Sequence, residues 1–370
     1  MLTITTALPE QYRLAQPDEL ADRIGAARAS LGDRLLVLGH HYQKDEVMRW
    51  ADARGDSFGL ARLAADRKDA EFIVFCGVHF MAESADILTA PHQQVLLPDL
   101  AAGCSMADMA DLDQVEEAWD EIAAVADIDR VVPITYMNST AALKAFVGRH
   151  GGAVCTSSNA RKVLEWALAP QPDRPAADKV LFFPDQHLGR NTALAMGFDA
   201  SAMVVWDPRR GMGGLDDVAV KGATFVLWKG HCSVHQRFTT ADVADFRVRH
   251  PQGIVVAHPE CSAEVVAMAD VVGSTDAIIR TVAAAAPGTS FGIGTEIHLV
   301  KRLADEHPDL LVECLDPSVC PCTTMSRIDA PHLAWILDEL VEGRVRNRIT
   351  VDEVTARSAR IALERMLAIS

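Results

Sequence analysis

Leu35-Leu36-Val37-Leu38-Gly39 runs straight into His40-His41-Tyr42-Gln43. An apolar run of this length without polar alternation fits a strand buried on both faces, and the abrupt polar cluster marks where it leaves the sheet. The same junction occurs twice more. Val131–Thr135 enters Tyr136-Met137-Asn138-Ser139, and Ile254–Ala257 enters His258-Pro259-Glu260. Each cluster is followed by a small hydroxyl-bearing turn, Gly55-Asp56-Ser57, Thr156-Ser157-Ser158-Asn159 or Gly273-Ser274-Thr275, which opens a segment of helical apolar periodicity. A second strand-like run follows each helix: Phe72–Cys76, Val180–Phe183 and Ser290–Ile293. Such alternation implies parallel βαβ units. The pattern therefore predicts three similar α/β/α (Rossmann-like) domains with parallel sheets around a pseudo-threefold axis. The expected limits are 18–110, 111–232 and 233–325, with a C-terminal helical extension at 326–370. Asp111–Asp129 and Trp166–Asp178 read as helical or loop additions to the second repeat, and Pro170, Pro172 and Pro175 favour a surface loop there. The alternative is one larger Rossmann-like protein, because βα turns favour Ser, Thr and Gly in any case.

The chain has 370 residues, 49% hydrophobic, and can bury a large core. No stretch has the roughly 18 uninterrupted apolar residues of a membrane span, and the first twenty residues lack a basic-then-apolar signal layout. A soluble, cytoplasmic protein without membrane partners is expected. A net charge of −16 argues against a nucleic-acid partner and leaves the capture of any anionic substrate to local donors. Eight scattered cysteines do not form a disulfide scaffold, and no CxxC pair announces a local metal motif.

The repeats end on cysteines: Cys104 in Ala102-Gly103-Cys104-Ser105, Cys232 in Gly230-His231-Cys232-Ser233, and Cys320-Pro321-Cys322. Three thiolates meeting on an axis would suit a [4Fe–4S] cluster with one open iron, a Lewis acid toward substrate oxygens. Buried apolar thiols and a zinc site using His231 and His235 are the alternatives. Acid–base candidates at the strand ends are His40, Tyr42, Tyr136, His235, His258 and Glu260, with Glu260 a base if burial raises its pKa. Ser57, Ser157, Ser274 and Thr275 stand at helix N-termini, where backbone N–H groups bind phosphate or carboxylate; ordinary N-capping would serve equally well at any one of them.

With these residues in view, the chain closely resembles the quinolinate synthase A family from about Arg34 to Met325. The carrying segments include Gly39-His40-His41-Tyr42-Gln43, Pro98-Asp99-Leu100-Ala101-Ala102-Gly103-Cys104, Tyr136-Met137-Asn138-Ser139, Trp228-Lys229-Gly230-His231-Cys232, His258-Pro259-Glu260-Cys261 and Gly294-Thr295-Glu296. The resemblance implies condensation of iminoaspartate with dihydroxyacetone phosphate to quinolinate, with loss of phosphate and water, on the route to NAD. It implies a [4Fe–4S] cluster on Cys104, Cys232 and Cys322; Cys322 is favoured over Cys320 because the family's third ligand commonly precedes a methionine by three residues, here Met325. His40, Ser57, Tyr136, Asn138, Ser157, His258, Ser274 and Thr275 would bind substrate. Tyr42, His40, Tyr136, His235 and Glu260 would move protons. Cluster-assembly machinery and, transiently, L-aspartate oxidase are the implied protein partners. A different cluster-dependent hydro-lyase and a non-catalytic sensor compete with this reading, but a sensor has no need of anion-binding turns.

Overall fold

Parallel strands build three separate sheets in the computed structural model, which describes residues 7–172, 174–318 and 321–369. The first sheet takes β1 (Leu35–His40), β2 (Ala53–Gly55), β3 (Phe72–Cys76) and β4 (Gln94–Leu96). The second takes β5 (Val131–Tyr136), β6 (Ala153–Cys155), β7 (Lys179–Phe183), β8 (Met203–Trp206) and β9 (Phe225–Trp228). The third takes β10 (Ile254–Ala257), β11 (Val271–Val272), β12 (Ser290–Gly294) and β13 (Leu311–Cys314). A late strand, β14 (Arg348–Ile349), pairs antiparallel with β4.

The three sheets share one connection rule. The opening strand pairs with the next strand on one side and the one after it on the other: β1 with β2 and β3, β5 with β6 and β7, β10 with β11 and β12. This is the repeated α/β architecture that the three apolar-to-polar junctions predict. Every residue of β1, β3, β5 and β7 is buried, as parallel strands covered on both faces must be. The expected runs begin and end within a residue of the observed strands. The second sheet carries an additional strand, β8, beyond β9.

The helices after the hydroxyl turns are Ser57–Asp66, Ala160–Leu168 and Thr275–Ala283. Asp111–Asp129 contains the helix Leu112–Ala123, capped by the Asp111 carboxylate on Gln114 N–H. The tail forms two helices, Ala330–Val341 and Glu353–Ile369, with β14 between them. Among the described residues no helix is long and apolar enough to cross a membrane.

The chain divides into two compact units. One comprises Met1–Cys104 and Cys320–Asp352; the other comprises Ser105–Val319 and Glu353–Ser370. The first unit contains the first sheet, β14 included, and the second unit contains the other two sheets.

Candidate active site

In the second unit, the ends of β5 and β10 and the turn after Cys232 gather three of the expected acid–base residues, Tyr136, His235 and His258, around a fourth, the buried carboxylate of Glu260. Glu260 is 3% exposed and follows β10 by three residues. Its Oε2 lies 2.8 Å from Nδ1 of His235, and the Tyr136 hydroxyl, at the end of β5, donates to the same carboxylate. His235 Nε2 lies 3.2 Å from the Thr295 hydroxyl, at the end of β12. The ring of His258 stacks on His235, centroids 4.4 Å apart and planes 17° apart. The result is a continuous buried chain, Tyr136–Glu260–His235–Thr295. Sequence reading assigned no role to Thr295, whose only signal was its place at a strand end within Gly294-Thr295-Glu296.

The electrostatics correct the expectation for Glu260. Burial alone would raise its pKa, but the charge of His235, the proximity of His258 and the hydrogen bonds from His235 and Tyr136 outweigh it and hold the carboxyl down at about 2. An ionised carboxylate only accepts hydrogen bonds. The contact at Nδ1 is therefore one that the His235 ring donates and the carboxylate accepts. Burial, reinforced by His235, pushes His258 down to about 3, so this ring is neutral at ordinary pH. A second buried carboxyl, Asp185, goes the opposite way. Burial first and the Glu260 charge second raise it well above the usual carboxylate range. Of the two carboxyls, Glu260 is the stronger acid and Asp185 the weaker.

These shifts fix a stability trend. Below its ordinary pKa near 6.5 the unfolded His258 binds a proton that the folded protein refuses until about pH 3, so folding stability falls as pH drops through that window. Glu260 adds to the fall below about 4.5, where only the unfolded carboxyl takes up a proton until about pH 2 is reached. Asp185 acts in reverse, contributing stability in acid that is lost as pH rises through its folded pKa. Denaturant midpoints of the metal-free protein are expected to drop between pH 7 and pH 5, and His258→Gln to flatten that drop. An equally steep curve for the variant would assign the acid sensitivity elsewhere.

Cys232 leads directly into this network. One ligand atom each from Cys232, His235 and Glu260 lies within 4.8 Å of the others. The chain reaches Cys232 through Gly230, where a Cβ would collide with the Pro184 carbonyl, so the close passage needs glycine. The other substrate candidates of this unit also stand at strand ends. Asn138 follows β5 and is half-buried, and Ser157 lies in the turn after β6, also half-buried. Ser274 caps Thr275–Ala283 by accepting Ala277 N–H at 3.4 Å, so its hydroxyl has the ordinary N-cap partner; Thr275 beside it is buried.

In the first unit, His40 ends β1 and accepts the Tyr42 backbone N–H on Nδ1 at 3.2 Å, with the two rings edge to face. Ser57 is buried at the first position of its helix, but Asp56 supplies the cap, its carboxylate accepting Gly59 N–H at 2.7 Å. Gln43 donates to the Met325 carbonyl at 3.2 Å, and Arg327 pairs with Asp99 at 2.8 Å. Those two bonds tie the turn after Cys322 to the His40 turn and to the loop that leads to Cys104. Cys320 lies outside the described residues.

The cysteines divide by environment. Cys76, Cys155, Cys261 and Cys314 are buried, and burial pushes their thiols upward, Cys76 and Cys314 to about 12, which keeps them protonated and poor ligands. Cys104, Cys232 and Cys322 are each half-exposed in loops. Three accessible thiols in loops are the donor type a [4Fe–4S] cluster takes. In the second unit, Ser105, which follows Cys104 in sequence, has its hydroxyl 3.5 Å from that of Ser233, which follows Cys232.

The sequence model of the Quinolinate synthetase A protein family matches residues 22–368. Among relatives, a quinolinate synthase from a Nocardioides species is 59% identical over 356 residues, covering 96% of this chain and 90% of the relative. Those of Corynebacterium glutamicum and Geobacillus thermodenitrificans are 54% and 53% identical; each match spans 98% of this chain and, respectively, 90% and 97% of the relative.

Proposed function

Because the chain belongs to the quinolinate synthetase A family, we propose that it is a quinolinate synthase. In this reading it condenses iminoaspartate with dihydroxyacetone phosphate to quinolinate, releasing phosphate and two waters, in NAD biosynthesis. The observation that carries the proposal is the buried Tyr136–Glu260–His235–Thr295 chain beside Cys232. A reaction that isomerises a carbonyl, forms an imine and eliminates water needs protons moved at fixed points, and this chain provides them away from solvent.

The three repeats, 18–110, 111–232 and 233–325, would each give one cysteine, with Cys104, Cys232 and Cys322 holding a [4Fe–4S] cluster. Bound there, the cluster would supply Lewis-acid chemistry toward a substrate oxygen. Glu260 stabilises the charge on His235 when Nε2 accepts a proton, and the Tyr136 hydroxyl acts as the acid on the opposite side of the carboxylate. His258, kept neutral, offers a hydrogen bond without repelling or attracting a charge. Asn138, Ser157, Ser274 and Thr275 at their strand ends, with His40 and Ser57, bind the carboxylate and phosphate groups, which the net charge of −16 would otherwise keep away, and Tyr42 beside His40 serves proton transfer. The enzyme would work in the cytoplasm, receive its cluster from assembly machinery, and take the unstable imine from L-aspartate oxidase in transient contact.

Protein reconstituted anaerobically with iron and sulfide is expected to be brown and to form quinolinate only when both substrates are present. A colourless, iron-free preparation with full activity would overturn the cluster, and a loaded protein that forms no quinolinate would overturn the reaction.

A further inference from the structure

Resting on the reading above, we propose that Asn191 is the positioning residue that fixes Glu260. Asn191 lies within the helix Gln186–Ala195 and is buried. Its amide nitrogen donates to two backbone carbonyls at 2.8 Å each, those of Pro259 and Cys261, the residues on either side of Glu260. One side chain thus clamps the peptide before and the peptide after the charged residue. Only a primary amide or a cationic side chain carries two N–H donors for such a pair, and a cation would disturb the neighbouring charges.

The helix that carries Asn191 is itself fixed. Asp185 caps it, accepting Leu188 N–H at 2.7 Å, and Asp185 also accepts the backbone N–H of Cys232. Gln186 N–H donates to the Gly230 carbonyl at 3.0 Å, and His187 Nε2 meets the Gln236 side-chain oxygen at 2.7 Å. The same helix therefore holds the loop of Cys232 and His235 from its first turn and the loop of Glu260 from its second. The 2.8 Å contact between His235 and Glu260 depends on both loops being referred to one rigid element.

Asn191→Leu keeps the branching of the side chain, with somewhat more bulk, and removes both donors. The variant is expected to retain wild-type iron and sulfide content and an unchanged cluster spectrum. Hydrogen exchange is expected to accelerate in peptides covering His258–Cys261 and to stay unchanged in β5 and β7. Its kcat is expected to fall roughly 10- to 100-fold with KM nearly unchanged, the loss typical of a displaced catalytic group or a missing outer partner. Unchanged exchange at His258–Cys261, acceleration throughout the chain, or a wild-type kcat would each overturn the proposal. Should Asn191→Leu not fold, Asn191→Asp, of the same shape and with at most one donor for the two carbonyls, is measured in the same way; failure of both to fold would make the amide a general stability element and overturn the proposal. Absence of quinolinate from the wild-type protein would sink the functional reading separately, leaving the exchange result to decide on the clamp.

Discussion

Glu260→Gln is expected to reduce quinolinate formation by roughly 10²- to 10⁴-fold, the range that loss of a positioned proton-transfer group produces. Glutamine preserves shape and burial but removes the charge. His235 Nδ1 then faces a neutral amide in place of an ionic acceptor, so a positive charge on the ring loses its partner. Tyr136 loses the same acceptor. Cluster content should not change, because glutamine disturbs no thiol. The variant should also let Asp185 ionise more readily, since the Glu260 charge is the second cause of its raised pKa. Rates under single-turnover conditions, with iron determined on the same sample, check the prediction. Wild-type turnover by the variant would remove Glu260 from the mechanism.

A comparable loss is expected at the cysteines, but of a different kind. Cys104→Ser, Cys232→Ser and Cys322→Ser should each leave iron and sulfide below roughly a tenth of wild type after reconstitution, since loss of even an outer partner costs about 10–100-fold in metal affinity. Cys76→Ser should retain the cluster, because that thiol is fully buried and held protonated. Iron analysis of the set distinguishes three ligands from a general sensitivity to cysteine loss. Retention by Cys322→Ser together with loss by Cys320→Ser would move the third ligand two residues along the chain.

The parts of the fold legible in the sequence are those where burial on both faces forces an unbroken apolar run, such as Leu35–His40 and Val131–Tyr136. Strands β11 and β14 have two residues each and cannot display a period; pairing with a longer neighbour makes them strands. At the site, sequence identifies the strand-end residues but not their partners. Ser57 was the expected hydroxyl of its turn, yet Asp56 takes the cap because its carboxylate reaches the third backbone N–H. The direction of the Glu260 shift depends chiefly on His235, brought from another loop, with help from the neighbouring His258 and the Tyr136 hydroxyl. Asn191 sits in an unremarkable helix, and only the tertiary fold reveals which carbonyls it meets.

The division of the chain bears on its birth at the ribosome. The first unit joins Met1–Cys104 to Cys320–Asp352, and all of Ser105–Val319 is translated between those pieces. Strand β14 reaches β4, and the Ala330–Val341 helix reaches the Pro17–Leu31 helix, only after the intervening stretch has emerged. The second unit in turn awaits Glu353–Ile369, which packs on the Ala141–Arg149 helix and β6. Vectorial folding from the N-terminus therefore leaves both units unfinished until translation nears the end of this stretch. On a nascent chain, the loops of Cys104 and Cys232 emerge before the turn of Cys322, so the three cysteines proposed as ligands are all available only once residue 322 has been made.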